Sequence, residues 1–252
     1  MHTANLNINS LIMASCLILI SLFFSYYQKL KLEKDIIIGI FRAIIQLSIV
    51  GYLLNIIFGL KNPLFTTLLL IFMIFNASVN SAKRGKKIHN VMIISFISIF
   101  LGTSITMVIL ILVKAIQYEP YQIIPIGGMI ISNAMVAIGL CYKQLISNFT
   151  SNKMEIETKL SLGADTLTSS INIIRDAIKT GMVPTIDSMK TLGIVALPGT
   201  MTGLILAGTP PLQAIKFQIM VTFMTLSTSS ISSFIACYLA YRKFFNNRKQ
   251  LI

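Results

Sequence analysis

Seven long apolar blocks constrain this chain more than any other feature. They fall at about residues 8–26, 36–58, 63–80, 91–113, 123–142, 191–208 and 213–241, and the segments between them hold nearly all the charge. A helix of about 20 apolar residues crosses the hydrocarbon core of a bilayer. The pattern therefore predicts an all-α, polytopic membrane bundle of about seven transmembrane helices. Composition agrees: 55% of the residues are apolar and 12% charged, where a soluble domain carries about 25% charged. The sixth block is short and is broken by Gly193, Pro198, Gly199, Gly203 and Gly208.

The first block reads as a span rather than a leader. No Lys or Arg precedes Lys29, and no small-x-small cleavage site follows it. The net charge of +13 would suit a nucleic-acid surface, but the charges sit in the connections of a membrane protein. Lipid is thus the expected surrounding, and no nucleic-acid partner is expected. Cys16, Cys141 and Cys237 show no CxxC spacing, so neither a disulfide framework nor a zinc site is indicated.

Basic residues orient the bundle, because Lys and Arg collect on the cytoplasmic side. With the N-terminus outside, the inner connections hold seventeen Lys and Arg residues, in groups around Lys29, Arg84, Lys143 to Lys190 and Arg248. The outer connections hold only Lys61 and Lys114. The expectation is N-out and C-in, with residues 1–252 forming one permease domain whose single long cytoplasmic loop covers about 143–190.

Within that loop Leu160, Ala164, Leu167, Ile171, Ile174 and Ile178 recur at alternating spacings of four and three. This is one apolar face of a helix, with Gly163 interrupting its start and Gly181 with Pro184 expected to close it. One reading places the helix on the inner leaflet or under the bundle. The other uses the string from Glu157 to Ala164, which is similar to the cytoplasmic loop of ABC-transporter permeases. There a short helix, a glycine turn and a second helix dock into a groove on an ATPase. Glu155, Glu157, Leu160, Gly163 and Ala164 are the candidate coupling residues.

Polar or irregular residues at membrane depth mark a candidate path. Arg42 and Gln46 stand one turn apart in the second span; such an arginine either serves function or snorkels to the interface. Gly127 to Met135 in the fifth span includes Asn133, and Leu197 to Gly203 in the sixth includes Pro198, Gly199 and Met201. Irregular backbone at that depth survives only when buried or lining a cavity, although Gly199 and Gly203 could equally serve helix packing. Met129, Met135, Met201 and Cys141 are soft metal donors by type, or plain packing, and the metal ligands stay open.

Four strings occur in order: Arg42 to Gly51, Gly128 to Met135, Glu157 to Ala164, and Leu197-Pro-Gly-Thr-Met201-Thr-Gly203 running on to Ile215. Together they resemble the FetB-like permeases, bacterial iron-export permeases related to plant aluminium-sensitivity proteins, over roughly residues 36–242. Ser132 stands where glycine is usual in that pattern, and Thr200 where methionine is usual. The resemblance implies a permease subunit in a bacterial plasma membrane, exporting iron or a related metal. Plant relatives suggest an anionic sugar nucleotide as the alternative cargo. It also implies a homodimer and a separate ABC ATP-binding subunit carrying ATP and Mg. The chain has no G-x-x-x-x-G-K phosphate loop of its own. No catalytic residues and no cofactor are expected on it. A secondary transporter would need a deep Asp or Glu coupler, and no acidic residue lies deep in a span.

Overall fold

A computed structural model describes residues 8–60, 63–246 and 248–251. The described residues are helical almost throughout, in agreement with the all-α expectation, and their contacts divide into two units at Lys61. The first contains α1 (Ile8–Tyr27) and α2 (Glu33–Leu60). Their corner is tied by Ser25, whose hydroxyl donates to Glu33 Oε1 at 2.7 Å and accepts the Leu32 N–H at 3.2 Å.

The second unit contains α3 (Pro63–Ala82), α4 (Val91–Leu112), α5 (Pro120–Ser151), α6 (Lys153–Ser161), α7 (Thr166–Thr191), α8 (Gly199–Leu206) and α9 (Pro211–Ala240). Five described segments are long and apolar enough to cross a membrane: Glu33–Leu54, Pro63–Gly85, Val91–Leu112, Pro120–Ser151 and Pro211–Phe244. At 1.5 Å per residue, α5 and α9 are about 48 and 45 Å long. Both exceed the ~30 Å hydrocarbon core.

Helix α5 is the axis of this unit, packing on α3, α4, α7 and α9. Its Ile123, Ile130, Ile138, Tyr142 and Leu145 have no exposed surface. Lipid gives helices little hydrophobic reason to associate, so close contact needs small side chains. A Cβ on Gly102 of α4 would lie 2.1 Å from the Ser232 hydroxyl of α9. Alongside it the Thr106 and Thr228 hydroxyls meet at 2.8 Å.

Two expectations need correction. The amphipathic helix does not close at Gly181 and Pro184; α7 runs on to Thr191. Gly181 is a contact point and not a stop, since a Cβ there would lie 2.3 Å from Cys141 Sγ and 2.8 Å from the Ala137 carbonyl oxygen. Pro184 removes one backbone hydrogen bond and the helix continues, as neighbours in a bundle permit. The apolar stripe is accordingly packed against the bundle: Ile174 is buried in the main core with the neighbouring Ile173 and Ala177, and Leu160, Leu167 and Ile178 pack against it. It does not lie flat on a leaflet.

The second correction concerns the sixth block. Residues 191–208 do not form one continuous helix. They comprise the end of α7, an irregular stretch over 192–198, and α8, which at eight residues rises only about 12 Å. In that stretch Gly193 adopts φ +80°, and its N–H donates to the Ala196 carbonyl at 3.0 Å.

Gly181→Val is expected to separate α7 from α5 and destabilise the bundle by about 1–3 kcal/mol, read as earlier thermal unfolding in detergent. A single cysteine at Ser151 or Ser161, both exposed, tests orientation in a Cys16→Ser background, since Cys141 and Cys237 are buried. Both sites are expected to resist an impermeant thiol reagent in intact cells, and labelling equal to that of Thr3→Cys would reverse the assigned sidedness.

Candidate functional site

Where α7 breaks, a cavity of about 240 Å³ opens between α5, α7 and α9. Its polar lining is Asn133 from α5, Thr185 and Ser188 from α7, and Gln218, Thr222 and Thr225 from α9; Pro198 closes it beside α8. The spacing explains the convergence. Gln218, Thr222 and Thr225 are four and three apart, as are Gly181, Thr185 and Ser188, so each set occupies one helical face.

Hydrogen bonds fix these groups. Asn133 Nδ2 donates to its own helix at the Met129 carbonyl, 2.8 Å away. Thr222 and Thr225 donate back to the carbonyls of Gln218 and Thr222 at 2.8 and 3.0 Å. Gln218 Oε1 accepts a short hydrogen bond from Thr200, which ties α8 to α9. Thr185 donates to Ser229 at 3.5 Å.

Of the path residues expected from sequence, Asn133 and Pro198 meet at this cavity. Met129 packs against the smaller core cluster and Met135 against the larger one. Met201 is half-buried on α8, and Cys141 is buried in the larger cluster. The four soft donors are thus divided among three surroundings, with Met135 and Cys141 sharing the larger cluster. Among the described residues no three His, Cys, Asp or Glu side chains gather. Gly199 and Gly203 have open space where a Cβ would stand, so among the described residues they mediate no helix packing. Arg42 and Gln46 are exposed on α2 in the first unit. Thr185, Ser188, Gln218, Thr222 and Thr225 escaped the sequence reading, although polar residues at helical spacing inside an apolar block were the available signal.

At the far end of α7 lies a sharp elbow. Helix α6 is anchored by buried Ile156 and by Leu160 against the main core. It closes with the Gly163 N–H on the Leu160 carbonyl and the Ala164 N–H on the Lys159 carbonyl, both 3.0 Å. This is a Schellman cap, which requires a left-handed residue; Gly163 supplies it at φ +86°. Glu155 pairs with Lys159 and Glu157 with Lys153 along α6. Met154 and Leu162 project outward, 82% and 83% exposed.

The C-terminal segment folds back onto this elbow. Phe244 stacks on Phe149 at 4.1 Å and Phe245 meets the same ring edge-on at 5.9 Å. Lys249 Nζ reaches Asp165 Oδ1 at 3.5 Å. Tail and elbow enclose a groove of about 960 Å³, lined by Glu157, Leu160, Gly163, Asp165, Arg248 and Lys249. The Thr166 N–H first, then Lys249, hold the Asp165 carboxyl below the usual carboxylate value.

A multi-helix membrane bundle with a polar cavity at a helix break, and an exposed charged elbow at one end, has the make-up of a transport permease. The chain belongs to the family described as the uncharacterised protein family UPF0014, whose profile matches residues 8–245. It is 50% identical over 252 residues to the Escherichia coli (strain K12) protein named "Probable iron export permease protein FetB", covering 100% of this chain and 97% of the relative. Identity to the Arabidopsis thaliana "Protein ALUMINUM SENSITIVE 3" is 35% over 238 residues, 94% of this chain and 87% of that protein. The Bacillus subtilis (strain 168) membrane protein YjkA is 38% identical over 242 residues, 96% of this chain and 97% of that protein. No solved structure matches the chain at a significant level.

A carboxyl whose folded pKa is lowered makes its contact above the ordinary value of about 3.9; the contact is lost as pH falls through the lowered folded value. Asp165→Asn at neutral pH is therefore expected to reproduce the acid effect. A spin label at Gln250 should gain mobility in the variant and, in the parent, only on acidification.

Proposed function

We propose that this chain is the membrane-spanning permease of an ATP-driven exporter, working as a homodimer with two copies of a separate ABC ATP-binding subunit. The observation that carries the reading is the elbow. Two large apolar side chains, Met154 and Leu162, stand exposed among charges at the end of a bundle whose core is otherwise well covered. Exposed apolar groups rimmed by charge suit a protein partner, and the glycine cap holds them in a fixed attitude. The bias of seventeen basic residues in the inner connections against two in the outer ones supports a cytoplasmic setting for this end, where an ATPase would meet it.

The cargo in this reading is iron or a related metal, by similarity to the relative named as a probable iron export permease. The path runs through the second unit's cavity and includes Asn133, Pro198 and the α7–α8 break. Met129, Met135, Gly199, Met201 and Gly203 complete the proposed path in this unit, and Arg42 and Gln46 of α2 are the first unit's own candidates. The membrane is the plasma membrane of a bacterium, with the N-terminus outside and the sixth crossing shared by the end of α7 and α8.

Gly163→Val imposes a left-handed φ on a β-branched residue, which costs about 1–3 kcal/mol locally. It is expected to leave membrane insertion intact while abolishing stimulation of the co-purified ATPase. Glu157→Lys should weaken the same stimulation several-fold. Vesicles holding permease and ATPase should move iron only with ATP. Full stimulation by both variants would remove the elbow from coupling. ATP-driven movement of a sugar nucleotide in place of metal would transfer the cargo assignment to that class.

A further inference from the structure

We infer that the cavity at the helix break receives its metal as an aquated ion, held through the ion's own water shell and not by direct coordination; this rests on the metal-export reading above. Three features of the cavity lead there.

The first is what the lining lacks. Direct capture of a transition-metal ion calls for imidazole, thiolate, thioether or carboxylate donors, and of these the lining offers only the Met189 thioether. The polar groups at this cavity are two carboxamides and four hydroxyls, from Asn133, Gln218, Thr185, Ser188, Thr222 and Thr225. All are neutral. An ion stripped of water there would exchange strong hydration for weak neutral ligands, and removing a charge from water without compensation is costly.

The second is which way the hydrogen-bonding capacity is spent. Thr222 and Thr225 both donate their protons to backbone carbonyls of α9, and the Asn133 amide donates to α5. These three groups offer a guest oxygen lone pairs: two hydroxyl oxygens and the Asn133 carboxamide oxygen. Metal-bound water, polarised by the ion, is a strong donor to them. The Gln218 amide, the Ser188 hydroxyl and the second Asn133 amide hydrogen are donors on the same wall. The final turn of α7, with Ser188 and Leu192 on the cavity wall, adds the negative end of a 26-residue helix. That end favours a cation.

The third is size. A volume of about 240 Å³ corresponds to roughly eight waters at ~30 Å³ each. This accommodates an ion with six waters and leaves little excess.

Recognition through the shell makes a distinctive prediction about selectivity. Direct N or S coordination follows the rising order from Mn²⁺ through Fe²⁺ and Ni²⁺ to Cu²⁺; contact with the water shell alone is nearly blind to it. Vesicles containing the permease and its ATPase are loaded in turn with Mn²⁺, Fe²⁺ (anaerobically), Co²⁺ and Ni²⁺, free of chelators. The expected ATP-dependent rates lie within about fivefold of one another, and hexaamminecobalt(III), whose ligands do not exchange, competes with Fe²⁺. Thr222→Val and Thr225→Val should each raise the half-saturating Fe²⁺ concentration about tenfold, while Thr225→Ser, which keeps the hydroxyl, should restore it. Rates rising a hundredfold from Mn²⁺ to Ni²⁺, or Fe²⁺ movement untouched by the inert complex, would overturn the inference while leaving metal export standing. If ATP is hydrolysed and none of the ions moves, the metal cargo itself is wrong and this inference falls with it.

Discussion

A backbone N–H or C=O that enters hydrocarbon must find its partner within its own helix, because lipid offers none. That requirement keeps α3, α4, α5 and α9 as unbroken rods. It also gives meaning to the place where the chain departs from it. Over residues 192–198 the ladder stops and is replaced by local turns, among them the Gly193–Ala196 hydrogen bond, before α8 resumes. Its two ends, Leu192 and Pro198, border the cavity lined by α5, α7 and α9. Polar side chains and opened backbone are thereby collected in one place, and the apolar cost of both is confined there.

Close packing holds the walls around that opening. Where α4 meets α9, Gly102 admits Ser232, and where α7 meets α5, Gly181 admits Cys141. Both contacts bring backbones nearer than any side chain would permit, and van der Waals attraction gains from proximity in a medium that supplies little hydrophobic drive. Buried isoleucines along α5 fill the remaining space. Beside this frame stand the turn over 192–198 and the short α8, which is tied to α9 through Thr200 and Gln218.

Much of this was legible in the sequence. Long apolar blocks specify helices of membrane length, and the Glu157–Ala164 string marks the elbow. The glycines gave mixed results because glycine serves opposite purposes. Gly163 is a turn, as read; Gly181 looked like a turn and is a contact; Gly199 and Gly203 suited either a path or helix packing and face open space among the described residues. Local sequence cannot separate these, since the deciding partner lies on another helix. The cavity's threonines were overlooked for a related reason. Thr222 and Thr225 satisfy their own helix and so tolerate an apolar block without raising an alarm. Only three-dimensional convergence with Asn133 gives them a role.

Helix α7 begins at the elbow, where Asp165 precedes its first turn, and ends at Leu192 on the cavity wall. One rod of 26 residues, about 39 Å long, thus joins the elbow to the cavity. A rod can slide along its axis, tilt or roll, but it cannot absorb strain in the middle as a linker would. Gly181, wedged against α5, is the natural fulcrum for tilting. A small displacement at the elbow would then swing the far tip in the opposite sense, and the seven-residue turn beyond it supplies the slack that lets the wall move while α8 and α9 stay in place.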